Sequence, residues 1–316
     1  MARYVRIASV PFTIPDISEK PKDQHLSDFM VGVIKEHINE VLPDKPDLIL
    51  LPELCDRPLG MSIEEVRDFY TERGDRTLRG LCDIARENNC YIAAGIARDD
   101  EKENRYNSCV MIDRHGGVLG YYDKNFIVPM ETPNYKIIPG EDITVFECDF
   151  GRVGAVICFD LNFEELRLKY REANCDLILF PSHFDGGLLR NIFAHETGAY
   201  FVTSYNCRHC LAAAFDPLGY EIASSTNYYK NLVVDLNLDY RIIHLDDNRE
   251  KLYEAKKKYG DQVKIKDNGY IGTLILTSES CERTVDDIIE EFNIPDRERY
   301  YNLTRVHRKN TRLTEK

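Results

Sequence analysis

Pro46-Asp47-Leu48-Ile49-Leu50-Leu51-Pro52-Glu53 decides how this chain is read, because the same pattern returns as Cys175-Asp176-Leu177-Ile178-Leu179-Phe180-Pro181-Ser182. Each copy follows a helical stretch, runs through four apolar residues without a polar break, and stops at a proline before a polar residue. A short, continuous apolar run is a strand buried on both faces. Proline cannot donate to a ladder, so it ends the strand and sets the next polar side chain at the carboxyl edge of a sheet. Glu53 and residues 182–185 are therefore expected along one rim. Two buried strands can also look alike by chance, and that reading stays open beside the internal repeat.

Working outward, further apolar runs bounded by turn residues predict strands at Val5–Val10, Tyr91–Ala97, Ser108–Asp113, Val153–Cys158 and Tyr200–Ser204. Leu26, Phe29, Met30, Val33, Ile34, Ile38, Val41 and Leu42 keep the 3.6-residue period of an amphipathic helix. Ser62 with Glu65 has capping-box spacing, and Leu78, Leu81, Cys82 and Ala85 continue the style after Asp75. Asp113 to Gly117 and Ala214 to Tyr220 read as hairpin turns, so the sheets are mixed. Two sheet layers with helices on both outer faces fit this α/β pattern. No linker-like stretch divides residues 1–316, which predicts one domain.

Aspartate and glutamate number 54 against 41 lysines and arginines, a formal charge of −13 that repels phosphate backbones and anionic lipid surfaces. Nucleic-acid and membrane partners are not expected. The opening MARYVRIASVPF has no secretory cleavage pattern, and no apolar run reaches membrane-spanning length, which predicts a cytoplasmic protein. The ten cysteines lie mostly inside apolar segments, without the dense spacing of a secreted scaffold, so free thiols are expected.

Cys158 ends the run Gly151-Arg152-Val153-Gly154-Ala155-Val156-Ile157, where a strand breaks towards a helix whose expected cap is Asn162. A thiol near exposed N–H groups and the positive end of a helix is favoured as thiolate, the form a nucleophile needs. Taken alone it also reads as a small hydrophobe closing a strand. A cysteine attacking a carbonyl or nitrile carbon needs a base and an oxyanion donor. Glu53, desolvated at a strand end, is expected to have a raised pKa and to serve as base, and His183 is the one histidine that also remains a candidate. Lys124, within Tyr121-Tyr122-Asp123-Lys124-Asn125-Phe126, can pair with carboxylates and stabilise negative charge. Singly, Glu53 and Lys124 are equally readable as a loop carboxylate and a strand-edge cation.

Leu51-Pro52-Glu53, Tyr122-Asp123-Lys124 and Ile157-Cys158-Phe159-Asp160 follow one another in the order and rough spacing of the nitrilase superfamily of carbon-nitrogen hydrolases, which the chain resembles over roughly residues 4 to 240. Glu131 is similar to the family's second glutamate, and Pro139-Gly140 and Asp216-Pro217-Leu218-Gly219 to later landmarks. The resemblance implies a four-layer α-β-β-α sandwich with two mixed sheets, no cofactor and no metal, and assembly as a homodimer or larger homo-oligomer. It also implies Glu53 as general base, Cys158 as nucleophile, Lys124 with the backbone N–H of Phe159 at the oxyanion, and Glu131 as orienting partner of Lys124.

Departures bear on the substrate. A branch that hydrolyses carboxylate-bearing amides reads Cys-Tyr-Asp-x-Arg-Phe-Pro-Glu, whereas Asn162 stands here for the arginine and Glu164 for the proline. The nitrile-cleaving branch has tryptophan after the cysteine, and this chain has none. A small amide or N-carbamoyl amine is the expected substrate, with nitrile hydrolysis, acyl transfer to an amine, or a non-catalytic scaffold as alternatives. His183, Phe184 and Asp185, with Asn206 opposite, are expected to recognise the substrate's far end. Asp185, lacking an arginine at position 162, predicts a neutral or amine-bearing tail. Cys207-Arg208-His209-Cys210 lacks a second ligand pair for zinc and reads as a loop beside the pocket. From about residue 240 the chain is a charged C-terminal extension beyond the motif.

Overall fold

In the computed structural model, which describes residues 2–268 and 270–314, contacts divide the chain into two compact units, Val5–Asp235 and Met1–Tyr4 with Leu236–Lys316. The first sheet holds β1 (Tyr4–Ser9), β2 (Leu48–Leu50), β3 (Tyr91–Asp99), β4 (Arg105–Ile112), β5 (Val118–Asp123) and β12 (Leu232–Asn237), in the order β12-β1-β2-β3-β4-β5. The second holds β6 (Val145–Cys148), β7 (Gly151–Ala155), β8 (Leu177–Ser182), β9 (Tyr200–Tyr205), β10 (Ala213–Phe215) and β11 (Glu221–Ser224), in the order β11-β10-β9-β8-β7-β6. The two echoed segments are β2 and β8. Each lies between parallel neighbours and is buried along its length. The expected hairpins form between β4 and β5 and between β10 and β11, which makes both sheets mixed.

Helices α1 (Leu26–Asn39) and α3 (Arg76–Asn88) cover one sheet, with Met30, Ile34, Ile38, Leu81 and Ile84 packed on Ile49 and Ile92. Helices α5 (Glu164–Ala173) and α6 (Leu188–Thr197) cover the other, with Leu166, Tyr170 and Phe193 against Ile178, Phe180 and Phe201. The remaining sheet faces meet, and the Ser9 hydroxyl donates to the Thr203 carbonyl at 2.7 Å. This is the α-β-β-α sandwich, and its middle brings the ends of β2 and β8 together. A smaller cluster gathers α2 (Ile63–Arg73), started by the Ser62–Glu65 capping box, and the short α4 (Glu131–Tyr135), with Val66, Phe69 and Tyr70 on Leu54 and Ala97 and Tyr135 against them.

One boundary differs in a way that matters. The strand expected to run to Cys158 ends at Ala155, and Cys158–Asn162 form a 3-10 turn. The cap of α5 is Phe163, not Asn162, whose side-chain amide instead donates to the Phe159 carbonyl at 2.9 Å. That hydrogen bond back to the start of the turn occupies the Asn162 side chain, which is therefore not free to cap α5.

The stretch from Leu236 has a sheet of its own, β13 (Tyr240–His244), β14 (Val263–Lys266) and β15 (Thr273–Ser278), in the antiparallel order β13-β15-β14. Helices α7 (Arg249–Tyr259) and α8 (Val285–Glu291) close its core of Ile243, Leu252, Val263, Leu274, Leu276, Val285 and Ile288, and α9 (Arg297–Thr314) follows. Among the described residues, no helix is long and apolar enough to cross a membrane.

Candidate active site

The carboxylate of Glu53 is fixed by where β2 stops. Its neighbour strand contributes Gly95, where an added Cβ would lie 2.5 Å from the Glu53 Cα and 2.6 Å from the Pro52 oxygen, so only glycine lets the backbones approach this closely. Glu53 is 1% exposed. Glu53 Oε1 accepts from Lys124 Nζ at 3.1 Å and from Asn107 Nδ2 at 2.8 Å. Oε2 accepts from the backbone N–H of His183, the residue after β8, at 3.1 Å.

Lys124 leaves β5 with its backbone N–H donating to the Asn107 carbonyl at 2.9 Å, and its side chain is 2% exposed. Its Nζ lies 3.0 Å from Glu131 Oε2 at the start of α4 as well as 3.1 Å from Glu53. A buried ammonium between two carboxylates keeps its charge. Burial acts to lower the Lys124 pKa, yet the charges of Glu53 and Glu131 outweigh it and hold it above the ordinary lysine range. Asn107 joins the two carboxylates, its Nδ2 donating to Glu131 Oε1 at 3.2 Å as well as to Glu53. Sequence reasoning missed Asn107, although an asparagine beside a fully apolar strand run was a visible signal.

Cys158 sits in the left-handed region, with φ of 50°, a conformation that side-chain-bearing residues rarely adopt. Asp160 holds that turn. Its carboxylate accepts from the Ile157 N–H at 3.0 Å, the Phe126 N–H at 2.8 Å and the Tyr122 hydroxyl at 2.7 Å. The Cys158 turn is thereby tied to both flanks of Lys124. Burial pushes Asp160 up to about 7, against those hydrogen bonds.

Two expectations about protonation are reversed. Burial does act to raise Glu53, and is the largest single influence on it, but the charges of Lys124 and His183 and the hydrogen bonds from Asn107 and Lys124 prevail, leaving it at about 2. The Cys158 thiol is pushed up to about 12, first by burial and then by the Glu53 charge, although Lys124, the His183 backbone and the Ser182 hydroxyl act in the other direction. A turn of a single 3-10 helix, desolvated and next to a carboxylate, does not supply the field of a helix N-terminus. At rest the site holds thiol, carboxylate and ammonium.

Of the other expected residues, Phe159 follows Cys158 in the turn and is 36% exposed. Asn206 Nδ2 donates to the Glu53 carbonyl at 2.5 Å and lies 3.4 Å from His183 Nε2, while its Oδ1 is buried without a partner. Phe184 packs edge-on to Phe180 in the second sheet's core. Asp185 is not an unpaired acid: Arg190 Nη1 lies 2.9 Å from it, and it accepts from the Gly187 N–H at 3.0 Å. That removes the reason to expect a neutral or amine-bearing tail. Cys207 and Cys210 are not free thiols but a disulfide, because a tight turn brings their Cα atoms to 5.5 Å; the other eight cysteines are free. Among the described residues, no group of three or more His, Cys, Asp or Glu side chains is placed to hold a metal.

The model of the carbon-nitrogen hydrolase family matches residues 27–240, more than half of the chain. This chain belongs to that family. The hydrolase is 23% identical over 237 residues to the omega-amidase NIT2 of Homo sapiens, covering 70% of this chain and 83% of the relative, and 24% identical to the omega-amidase NIT2 of Xenopus tropicalis, covering 68% and 88%. Its fold matches an amidase from Nesterenkonia sp. with a TM-score of 0.64 at 21% identity, over 79% of this chain and 95% of that one. It also matches Nit3 of Saccharomyces cerevisiae, a member of branch 10 of the nitrilase superfamily, with a TM-score of 0.61 at 20% identity, over 74% and 90%. A mutant of the Nesterenkonia amidase, with a TM-score of 0.63 over 74% of this hydrolase and 90% of its own chain, at 21% identity, shows covalent addition of the acetamide moiety of fluoroacetamide at its active site cysteine.

Proposed function

We propose that this hydrolase cleaves the C–N bond of a small amide or N-carbamoyl amine through a thioester on Cys158. The observation that carries the reading is a buried Lys124 ammonium held at 3.1 and 3.0 Å between Glu53 and Glu131, with the Cys158 thiol electrostatically coupled to both Glu53 and Lys124. The omega-amidase relatives and the covalently modified cysteine of the Nesterenkonia amidase support the same chemistry.

A thiol at about 12 beside a carboxylate at about 2 does not ionise at rest, so its proton leaves as the C–S bond forms. Sγ attacks the carbonyl carbon, Glu53 takes the thiol proton, and the carbonyl oxygen becomes an oxyanion facing Lys124 Nζ and the Phe159 N–H. Negative charge passes from the Glu53 carboxylate to the carbonyl oxygen, beside an ammonium already desolvated and oriented, where its effect is largest. Collapse breaks the C–N bond, and the leaving nitrogen takes the proton from Glu53. Water then attacks the thioester with Glu53 again as base, releasing the acid and restoring the thiol. Glu131 and Asn107 hold Lys124 and Glu53 in register throughout.

A panel of small amides and N-carbamoyl amines assayed for released ammonia or amine tests this. Turnover of at least one class, lost in Cys158→Ala, is expected; undiminished turnover in that variant would overturn the reading.

A further inference from the structure

His183 meets the Glu53 carboxylate twice. Its backbone N–H donates to Oε2 at 3.1 Å, and its ring Nε2 lies 3.8 Å from the same oxygen. The first contact holds the carboxylate in place; the second faces it with a side chain that can accept and release a proton. The other partners of Glu53 are unsuited to that work. Oε1 is occupied by Lys124 Nζ at 3.1 Å and Asn107 Nδ2 at 2.8 Å, so a proton taken from the thiol settles on Oε2, the oxygen beside the His183 ring. Asn107 is an amide, and Lys124 must keep its charge to meet the oxyanion.

Exposure separates these groups as well. Glu53 is 1%, Lys124 2% and Asn107 0% exposed, whereas the His183 side chain is 37% exposed. Among the four, the ring alone reaches outward, the direction in which a freed amine departs. Its Nε2 also stands between opposite demands. Asn206 Nδ2 lies 3.4 Å away and, as a donor, favours a lone pair on Nε2, while the Glu53 carboxylate favours a proton there. A proton can therefore arrive at Nε2 from one side and leave it again. Asn206 is itself fixed by donating to the Glu53 carbonyl at 2.5 Å, which keeps its amide against the ring.

We propose that His183 is the general acid of this hydrolase, relaying the thiol proton from Glu53 to the nitrogen that leaves. The proposal rests on the amide-hydrolysis reading and supplies the route by which the proton held by Glu53 reaches that nitrogen. As Sγ bonds to the carbonyl carbon, Glu53 Oε2 takes the thiol proton and passes it to His183 Nε2. When the tetrahedral intermediate collapses, the C–N bond breaks, its electron pair stays on nitrogen, and the nitrogen takes the proton from Nε2. One proton moves throughout, and His183 returns to its starting state. The 3.8 Å separation is longer than a hydrogen bond, as catalytic contacts often are before substrate binds, and shortens in the substrate complex.

The test compares leaving groups. kcat/KM is measured for an amide that the wild type cleaves and for the p-nitrophenyl ester of the same acyl group, in wild type, His183→Ala and His183→Gln, with folding followed by circular dichroism. A nitrophenolate departs without a proton, whereas an amine does not. Amide cleavage should therefore fall about 10²-fold or more in both variants, the low end for a lost general acid, and ester cleavage less than about tenfold. Equal losses for amide and ester would make His183 a structural support of Glu53 and overturn the relay, as would amide turnover retained in His183→Gln. A wild type that cleaves the ester but no amide or N-carbamoyl amine would instead overturn the amide-hydrolysis reading, on which the relay rests.

Discussion

Strands β2 and β8 are near copies in sequence and environment, yet their ends do opposite work. Both are apolar and parallel on both sides, but β2 stops at Leu50, before its proline, whereas β8 runs on through Pro181 to Ser182 against the expectation that the proline ends it. After Pro52 comes a carboxylate, Glu53, which accepts four contacts' worth of positive field from Lys124, Asn107, the His183 N–H and the His183 ring. After Pro181 come the Ser182 hydroxyl, which donates to the Phe184 carbonyl at 2.8 Å, and the His183 N–H, which donates to Glu53 at 3.1 Å. The backbone repeat sets where the two ends meet, with a side-chain acceptor, Glu53, at the first and a backbone donor, the His183 N–H, at the second.

The hardest way to break this contrast is to make the first end neutral. Glu53→Gln keeps the shape and removes the base, and should lower kcat on the order of 10³-fold, within the range for a lost general base, with circular dichroism unchanged. A loss below tenfold would move the base elsewhere, with His183 the first alternative.

The glycines beside the two copies sharpen it. Gly95→Ala drives a Cβ to 2.5 Å from the Glu53 Cα, and Gly154→Ala drives one to 2.4 Å from the Tyr170 ring and 2.8 Å from Ile178. Each should cost about 1–3 kcal/mol in denaturant unfolding as overpacking. Only Gly95→Ala displaces the carboxylate, so it should also lower kcat/KM by roughly 10²-fold, the order expected for a misplaced catalytic group. Equal kinetic effects from the two variants would contradict the division of roles.

Much of this was legible in the sequence. The strand runs, both hairpins, the capping box at Ser62 and the order Glu53, Lys124, Cys158 follow from periodicity, turn chemistry and motif spacing, and the fold brings those three residues together. What was not legible depends on partners distant in sequence. Burial of Glu53 could be foreseen, but the direction of its pKa depended on Lys124, His183 and Asn107 arriving from three other segments. Arg190 reaches Asp185 across the Gly186-Gly187 bend, outside any regular helical spacing, and the Cys207–Cys210 bond needed a turn that four residues alone do not announce.

A smaller effect concerns the shared donor. Asn107→Ala removes the amide that joins Glu53 and Glu131, and should lower kcat about tenfold, the lower end for a hydrogen bond to a charged group. The smallest is in stability against pH. Glu53 is held at about 2, below its ordinary 4.5, so its contribution is present above about 4.5 and is lost as pH falls towards 2. Acid titration of unfolding free energy should therefore fall more steeply across that window in the wild type than in Glu53→Gln; parallel curves would mean that Glu53 is not held as a buried carboxylate.

The most direct test of the central claim is intact mass measurement of the wild-type enzyme quenched during turnover of a small amide that it hydrolyses, followed by peptide mapping. A thioester that adds the acyl mass to Cys158, and is absent from Cys158→Ala, is the predicted result. An adduct on any of the other cysteines, or turnover that persists in Cys158→Ala, would contradict it.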